Sequence, residues 1–368
     1  EAMASEVADK IQAAEVKEIQ TLRDMQVFEL VYFPAGSNAP LHAHFVYAQK
    51  KDDHGETIID DDGRVGGWKA RFVGNGNEQK EGTYESSYAA TASFESFRLI
   101  CGEATKPGFE LMSADVKGAY LLAGLPYDVH LQIPITTDPE LEAARLSGKV
   151  MLLKKCLYGL VESGYFWSKK FRGHLVELGF KCIDADRGVY CLRRGVHVLY
   201  VPTHVDDLFG ATNHRPLWDF MIDGLGKHMQ FSKNGPAEYH LGMLIKQLKD
   251  SGDIFILMPG FGRDMLVRAG MEDCSPSQTP MLEGTSLETG GEEMVSFTMQ
   301  EYQELVGMLQ WYLNAHPDML VAVRNLGRHS HDPREPHAKA LKHALRYVQA
   351  TLNWGIHFFN DGQGIKLF

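Results

Sequence analysis

Two aspartates stand side by side in the stretch VLYVPTHVDDLFGAT, Val198 to Thr212. Apolar runs flank Asp206 and Asp207, so two like charges sit between segments that favour burial. A solvated turn offsets their repulsion, because Asp side chains hydrogen-bond local backbone. A bound divalent cation offsets it as well. A third carboxylate, Asp115, stands near the end of the run FELMSADV. Hard oxygen ligands suit Mg²⁺, which binds through one or two carboxylates and substrate phosphates. Two such ions about 4 Å apart stabilise the attacking and leaving oxygens of an in-line phosphoryl displacement. Polymerases use that chemistry, and metal-dependent nucleases or cyclases can use paired carboxylates on a similar sheet.

Whether the three carboxylates meet depends on the elements that carry them. FELMSADVKGAYLLAGL (109–125) reads as a strand with Asp115 near its end. VMLLKKCLYGL (150–160) is a strand and turn. ESGYFWSKKFRGHLVELGF (162–180) is a helix whose apolar face holds Tyr165, Phe166, Phe171, Leu175 and Leu178, stopped by Gly179. Three short strands follow, the last two forming a hairpin with Asp206 and Asp207 at its tip. A helix over 216–229 and a strand at YHLGMLIKQL complete the set. Residues 109–248 thus read strand, helix, strand, strand, helix, strand, the order of a ferredoxin-like split βαβ sheet. In such a sheet the first strand lies beside the hairpin, which brings Asp115 to Asp206 and Asp207.

Upstream, the first twenty residues read as an amphipathic helix. Short strands follow around FELVYFPAG, HFVYAQK and GGWKARFVGNG, with an exposed acidic loop at 50–63 and a helix at 93–108. Beyond about residue 260 the chain is mainly helical, with a Pro/Ser/Gly-rich linker at 275–292.

The 368 residues are enough for two or three domains. No segment approaches the roughly 20 uninterrupted apolar residues of a membrane span. The net charge of −11 argues against a generic nucleic-acid coat. Locally, though, the 323–348 stretch gathers Arg324, Arg328, Arg334, Lys339, Lys342 and Arg346. Lys339, Lys342 and Arg346 share a helix face, either a solvated face or a stripe that tracks phosphates. Five scattered cysteines with no C-x-x-C pair support neither a zinc ribbon nor a disulfide framework. The HAH (42–44) and HSH (329–331) histidines lack partners at usual zinc spacings.

Taken in order, these segments resemble the reverse transcriptase of copia-type LTR retrotransposons over nearly the whole chain. ADVKGAYLLAGL is similar to that family's D-V-K-x-A-F/Y-L-x-G-x-L, and KKCLYGLVESGYFW to its K-x-x-Y-G-L-K-Q-x-x-R-x-W. HVDD matches Y-V-D-D, and HLGMLIKQ matches F-L-G-I-x-I. GMEDCSPSQTPM, YQELVGMLQWYLNAHPDMLVAVRNLGRHSHDP, the opening EAM and WKARFVGNG follow the family as well.

The resemblance implies an α+β right-hand polymerase fold: N-terminal helix and fingers at 1–108, and a ferredoxin-like palm at 109–248 with a fingers segment near 123–160. A mainly helical thumb and connection region would occupy 249–368. It implies synthesis of DNA from an RNA template and DNA primer with dNTPs and two Mg²⁺ ions, Mn²⁺ being an alternative. Asp115, Asp206, Asp207 and the Val116 carbonyl would hold the metals. Tyr120 would be the steric gate against a ribose 2′-hydroxyl, and it reads equally as a core aromatic. Lys69 and Arg71 would meet the triphosphate. Gly159 would let backbone approach the nucleotide or template, and Glu162 would lie beside it. His204, Val205, Tyr239, His240, Leu241, Gly242 and Met243 would lie near the primer. Arg324, Arg328, Lys339, Lys342 and Arg346 would hold duplex.

The sequence departs from the family at four places. His204 replaces the tyrosine that packs on the primer end. Pro202 lies where a paired strand needs an N–H. Asn75 replaces a lysine. Glu162 replaces an amide, and a carboxylate there would repel the incoming triphosphate. These departures leave a catalytically degenerate remnant that only binds nucleic acid as the alternative to an active enzyme. The chain starts without Met and ends at GIKLF, where the family continues into an RNase H domain. The expectation is a segment of a Gag-Pol-type polyprotein, acting in a cytoplasmic virus-like particle with possible nuclear delivery.

Overall fold

In a computed structural model, residues 8–34, 36–37, 39–49, 67–282, 284 and 287–359 are described; the acidic 50–63 loop and both chain ends lie outside them. Helix α1 (Ala8–Asp24) is followed by β1 (Phe28–Tyr32), β2 (Ala43–Gln49), β3 (Trp68–Gly74) and α2 (Phe94–Glu103). Next come β4 (Glu110–Val116), β5 (Gly124–Leu131), α3 (Pro139–Leu146), β6 (Lys149–Lys155) and α4 (Ser163–Glu177). Strands β7 (Lys181–Ile183), β8 (Asp186–Arg194), β9 (His197–His204) and β10 (Asp207–Thr212) precede α5 (Arg215–Leu225) and β11 (Phe231–Pro236). The remainder is β12 (Tyr239–His240), β13 (Met243–Gln247), β14 (Ile254–Leu257), α6 (Pro259–Arg268), α7 (Met299–Tyr312), α8 (Leu320–Gly327), α9 (Glu335–Ala350) and β15 (Gly355–Phe358).

The chain divides into two units. One holds residues 1–97 and 110–236; the other holds 98–109 and 237–368. In the first, β11, β4, β10, β9, β8 and β7 form an antiparallel sheet in that order. The apolar runs of β9 and β10 are explained by their central place, with Leu199, Val201, Leu208, Phe209 and Ala211 at most 1% exposed. Helices α4 and α5 cover one face. Phe166, Trp167, Phe171 and Leu175 on α4 join Leu217, Trp218, Met221 and Leu225 on α5 in one core with the sheet. Each such side chain contributes about 1.5–3 kcal/mol by burial. Helix α4 ends in a Schellman motif: the Gly179 N–H bonds the Val176 carbonyl, and the Phe180 N–H bonds the Leu175 carbonyl. Gly179, at φ +91°, takes the left-handed position.

The same unit contains a three-stranded sheet β1-β6-β5 and a β2–β3 hairpin. Their core includes Ile19 and Leu22 of α1, Phe72, Leu131, Met151 and Leu153.

The strand predicted to complete the palm sheet is a different one. YHLGMLIKQL instead forms β12 and β13, which join β14 and β15 in a four-stranded sheet of the second unit. That place in the six-stranded sheet belongs to β11, which pairs with β4 from Phe231 to Pro236. The polar segment FSKNGP gave no strand signal because β11 is a largely exposed edge strand, where Pro is tolerated. Pro202 lies inside β9. The β9–β10 ladder pairs Leu208 with Thr203 and Ala211 with Tyr200, lapsing across the missing donor. Among the described residues no helix is long and apolar enough to cross a membrane.

Candidate active site

Strands β4 and β10 pair antiparallel with Asp207 directly opposite Asp115. Residues so opposed have Cα atoms about 5 Å apart. Asp206 precedes Asp207 in the two-residue turn Val205–Asp206, closed by the pair His204–Asp207. The Val116 N–H donates to the Asp206 carbonyl at 2.9 Å, and the Ser232 hydroxyl on β11 bonds the Asp115 carboxylate. The three carboxylates predicted to converge therefore do so at one sheet edge. Burial, then the charges of Asp206 and Asp115, push the Asp207 carboxyl up to about 6. Three partly exposed carboxylates with mutual repulsion offer the hard oxygen chemistry that a divalent cation takes, although their oxygens do not all lie within 4.8 Å of one another.

Other predicted residues surround this edge. Lys69 and Arg71 alternate with the buried Ala70 and Phe72, so both project from the exposed face of β3. Among the described residues neither side chain has a hydrogen-bond or ion-pair partner; Arg71 lies over the Tyr158 ring at 5.5 Å. Desolvation and Arg71 push the Lys69 ammonium down, while the nearby Asp206, Glu18 and Asp115 oppose the shift. Tyr120, in the 3₁₀ turn after β4, meets Tyr158 edge-on with centroids 5.6 Å apart. Burial and then Asp206 push its phenol up. Tyr158, which sequence reasoning did not single out, links the cations to Tyr120; its place in CLYGL was the available signal.

Two predicted pocket residues serve other ends. Gly159, at φ +86°, approaches the protein's own backbone, where a Cβ would lie 2.2 Å from the Gly74 carbonyl oxygen. The Gly74 N–H bonds the Tyr158 carbonyl beside it at 2.9 Å. Glu162 is fully buried. Its carboxylate accepts from the Gln79 amide at 2.8 Å and raises the Tyr127 phenol, which is shifted chiefly by burial. It therefore has no surface from which to repel a nucleotide. Gln79 also accepts from the Val161 N–H at 2.9 Å, pinning that segment.

His204 ends β9, its imidazole pushed down by burial and partly restored by Asp206. Val205 takes φ +53°, and its carbonyl accepts the Trp167 indole N–H at 2.8 Å.

Residues Tyr239 to Met243 lie in the second unit as a tight β12–β13 hairpin, with His240 opposite Met243. Leu241 and Gly242 occupy its turn at φ +52° and +76°. The basic stripe is not free as expected. Arg346 bonds the Ser275 carbonyl at 2.7 Å. Lys342 bonds the Ser296 hydroxyl at 3.0 Å and lies over Phe297. Arg346 pins the start of the linker to α9 and Lys342 the segment just after it, while Arg324, Arg328 and Lys339 are exposed. Of the flagged histidines, His42 bonds Glu78, His44 bonds Asn75 and His329 stacks on His337. Elsewhere His174, Glu177 and His228 bring ligand atoms within 4.8 Å. Their two imidazoles stack nearly parallel, so the ring lone pairs do not converge on one ion.

The family model for reverse transcriptase (RNA-dependent DNA polymerase) matches residues 25–283. The chain therefore belongs to the reverse transcriptase family, with the α+β right-hand polymerase fold. It is similar to the Retrovirus-related Pol polyprotein from transposon RE1 of Arabidopsis thaliana, 29% identical over 83% of this chain and 20% of that protein. To the RE2 polyprotein of the same plant it is 26% identical over 98% of this chain and 24% of that protein. To the TNT 1-94 polyprotein of Nicotiana tabacum it is 26% identical, covering 93% and 26%. The chain thus corresponds to the reverse transcriptase domain of copia-type retrotransposon Pol polyproteins, and it spans a fifth to a quarter of the length of these relatives. A solved structure of a foamy viral protease-reverse transcriptase in complex with double-stranded DNA is a looser likeness. It has a TM-score of 0.45 at 11% identity, covering 92% of this chain and 48% of that one.

Proposed function

We propose that this chain extends a DNA primer on an RNA template, joining the primer 3′-hydroxyl to the α-phosphate of a dNTP with release of pyrophosphate. The observation that carries this reading is the pairing of Asp115 with Asp207 beside Asp206, with Lys69 near enough to feel the charges of Asp206 and Asp115 as well as that of Glu18, which also neighbours Arg71. In this reading Asp115, Asp206, Asp207 and the Val116 carbonyl hold two Mg²⁺ ions, with Mn²⁺ a substitute. Bound there, the ions supply charge stabilisation for the attacking and leaving oxygens. Lys69 and Arg71 draw in the triphosphate and stabilise negative charge on it. Tyr120, backed by Tyr158, limits room at the sugar and so favours deoxyribose.

His204 and Val205, and the hairpin of Tyr239, His240, Leu241, Gly242 and Met243, would meet the primer. Exposed Arg324, Arg328 and Lys339 would contact duplex phosphates. The first unit would supply fingers and palm, and the second thumb and connection. The chain would act as part of a Gag-Pol-type polyprotein in cytoplasmic particles, with product delivered to the nucleus.

The test is extension of oligo(dT) on poly(rA) with Mg²⁺ or Mn²⁺, beside an Asp206→Asn control. Metal-dependent extension by the parent alone supports the reading. A folded, template-binding parent that never extends contradicts it.

A further inference from the structure

The turn that carries Asp206 is built on an unfavourable residue. Two-residue hairpin turns with positive φ at the first central position favour Gly there. Here that position is Val205, at φ +53°. A branched Cβ in this region is an outlier, and it persists only where the surroundings over-determine it. Asp206 is not among the positive-φ residues, so the turn is of the II′ kind. Flipping the peptide between Val205 and Asp206 would give the I′ kind, carry Asp206 to positive φ and re-aim its carboxylate.

One side chain holds that peptide. The Trp167 indole N–H donates to the Val205 carbonyl at 2.8 Å, and a flip would point the carbonyl away and break this bond. Trp167 is 2% exposed and leans on Phe171, with ring centroids 5.3 Å apart. Its helix, α4, is fixed by the palm core. The next residue of the turn is held separately, by the Val116 N–H on the Asp206 carbonyl.

Resting on the polymerase reading above, we propose that Trp167 is a positioning residue: its indole N–H locks the strained Val205–Asp206 peptide and so aims the Asp206 and Asp207 carboxylates at the metals. The sheet sets where the carboxylates are, and α4 sets which way the turn faces. Phenylalanine would fill the space and lose the donor.

The experiment compares Trp167→Phe in two backgrounds, parent and Val205→Gly. Glycine at the first central position favours the II′ turn unaided, so the lock becomes dispensable there. In the parent background Trp167→Phe should lower kcat about tenfold, the scale of one buried hydrogen bond lost with its acceptor left bare. The Mg²⁺ concentration for half-maximal extension should rise with it, while KM for template–primer stays within twofold. In the Val205→Gly background the same substitution should cost less than about threefold. Equal losses in both backgrounds would show that Trp167 matters only for packing and would overturn the proposal.

Mn²⁺ binding, counted by paramagnetic resonance, needs no turnover. Trp167→Phe should weaken it several-fold. If Asp206→Asn weakens it and Trp167→Phe does not, the positioning role fails while the metal site stands. If the parent binds no Mn²⁺, both fail. In the parent itself the Trp167 indole proton should exchange slowly with solvent, and rapid exchange overturns the proposal without any variant.

Discussion

Asp207 is predicted to weaken the metal-free fold that it serves. Its carboxyl is partly buried opposite Asp115 and adjacent to Asp206, and is pushed from the ordinary 3.8 to about 6. A difference of about two pH units corresponds to about 3 kcal/mol at 1.36 kcal/mol per unit. Partial exposure and solvent screening reduce this to about 1–2 kcal/mol. Below the unfolded value of 3.8 the group is protonated in both states and exacts no penalty. Between that value and about 6 the unfolded chain ionises while the folded chain resists, so stability falls as pH rises. Above about 6 the full penalty remains. Asp207→Asn removes the charge and keeps the shape. In EDTA at pH 7 the variant should therefore melt roughly 2–8 °C above the parent, at about 2–4 °C per kcal/mol for a unit of this size. The gap should close towards pH 4, and Mg²⁺ should raise the parent more than the variant. Thermal melts of both proteins across that range are the assay. A variant no more stable than the parent at pH 7, or a gap independent of pH, would refute the reasoning.

Three further outcomes follow from the same geometry. Tyr120→Ala should cut discrimination against ribonucleotides about 10–100-fold; an unchanged ratio of rNTP to dNTP incorporation removes Tyr120 from the gate. Lys69→Ala and Arg71→Ala should each raise the KM for dNTP about tenfold, as expected for lost charge-assisted contacts. The penalty should shrink at high salt, and a salt-independent effect points to misfolding instead. Because Lys69 is held below the usual lysine range, parent affinity for dNTP should decline with rising pH before an ordinary lysine would deprotonate. Glu162→Gln should leave the KM for dNTP within twofold and change stability by less than about 1 kcal/mol, because its carboxylate is buried against Gln79. A marked fall in that KM would show that the glutamate does reach the triphosphate.

The carboxylate site was legible because it follows from local pattern. Asp206 and Asp207 interrupt two apolar runs, and such runs imply central strands joined by a tight turn. Once the strand order is ferredoxin-like, Asp115 has one place to go, and the observed register puts it there. What escaped was whatever depends on partners distant in sequence. The polar strand β11 is defined by its neighbour β4 and not by its own composition. The second-unit sheet needs β15 to return to β14 across about a hundred residues. Glu162 read as a surface charge because nothing local marks Gln79 as its partner. Likewise Lys342 and Arg346 read as a phosphate stripe, because nothing local marks Ser296 and the Ser275 carbonyl as their partners. Trp167 read only as a family motif residue, its bond to Val205 spanning 38 positions.

The central claim is that Asp115, Asp206 and Asp207 act together on one phosphoryl transfer. Single-nucleotide extension of a primer on an RNA template, measured for the parent and for each Asp→Asn variant in parallel, tests it most directly. Extension by the parent, with a loss of about a thousandfold or more in every variant, is the result predicted for groups that work as one unit. A variant at any of the three positions that extends at the parent's rate would contradict it.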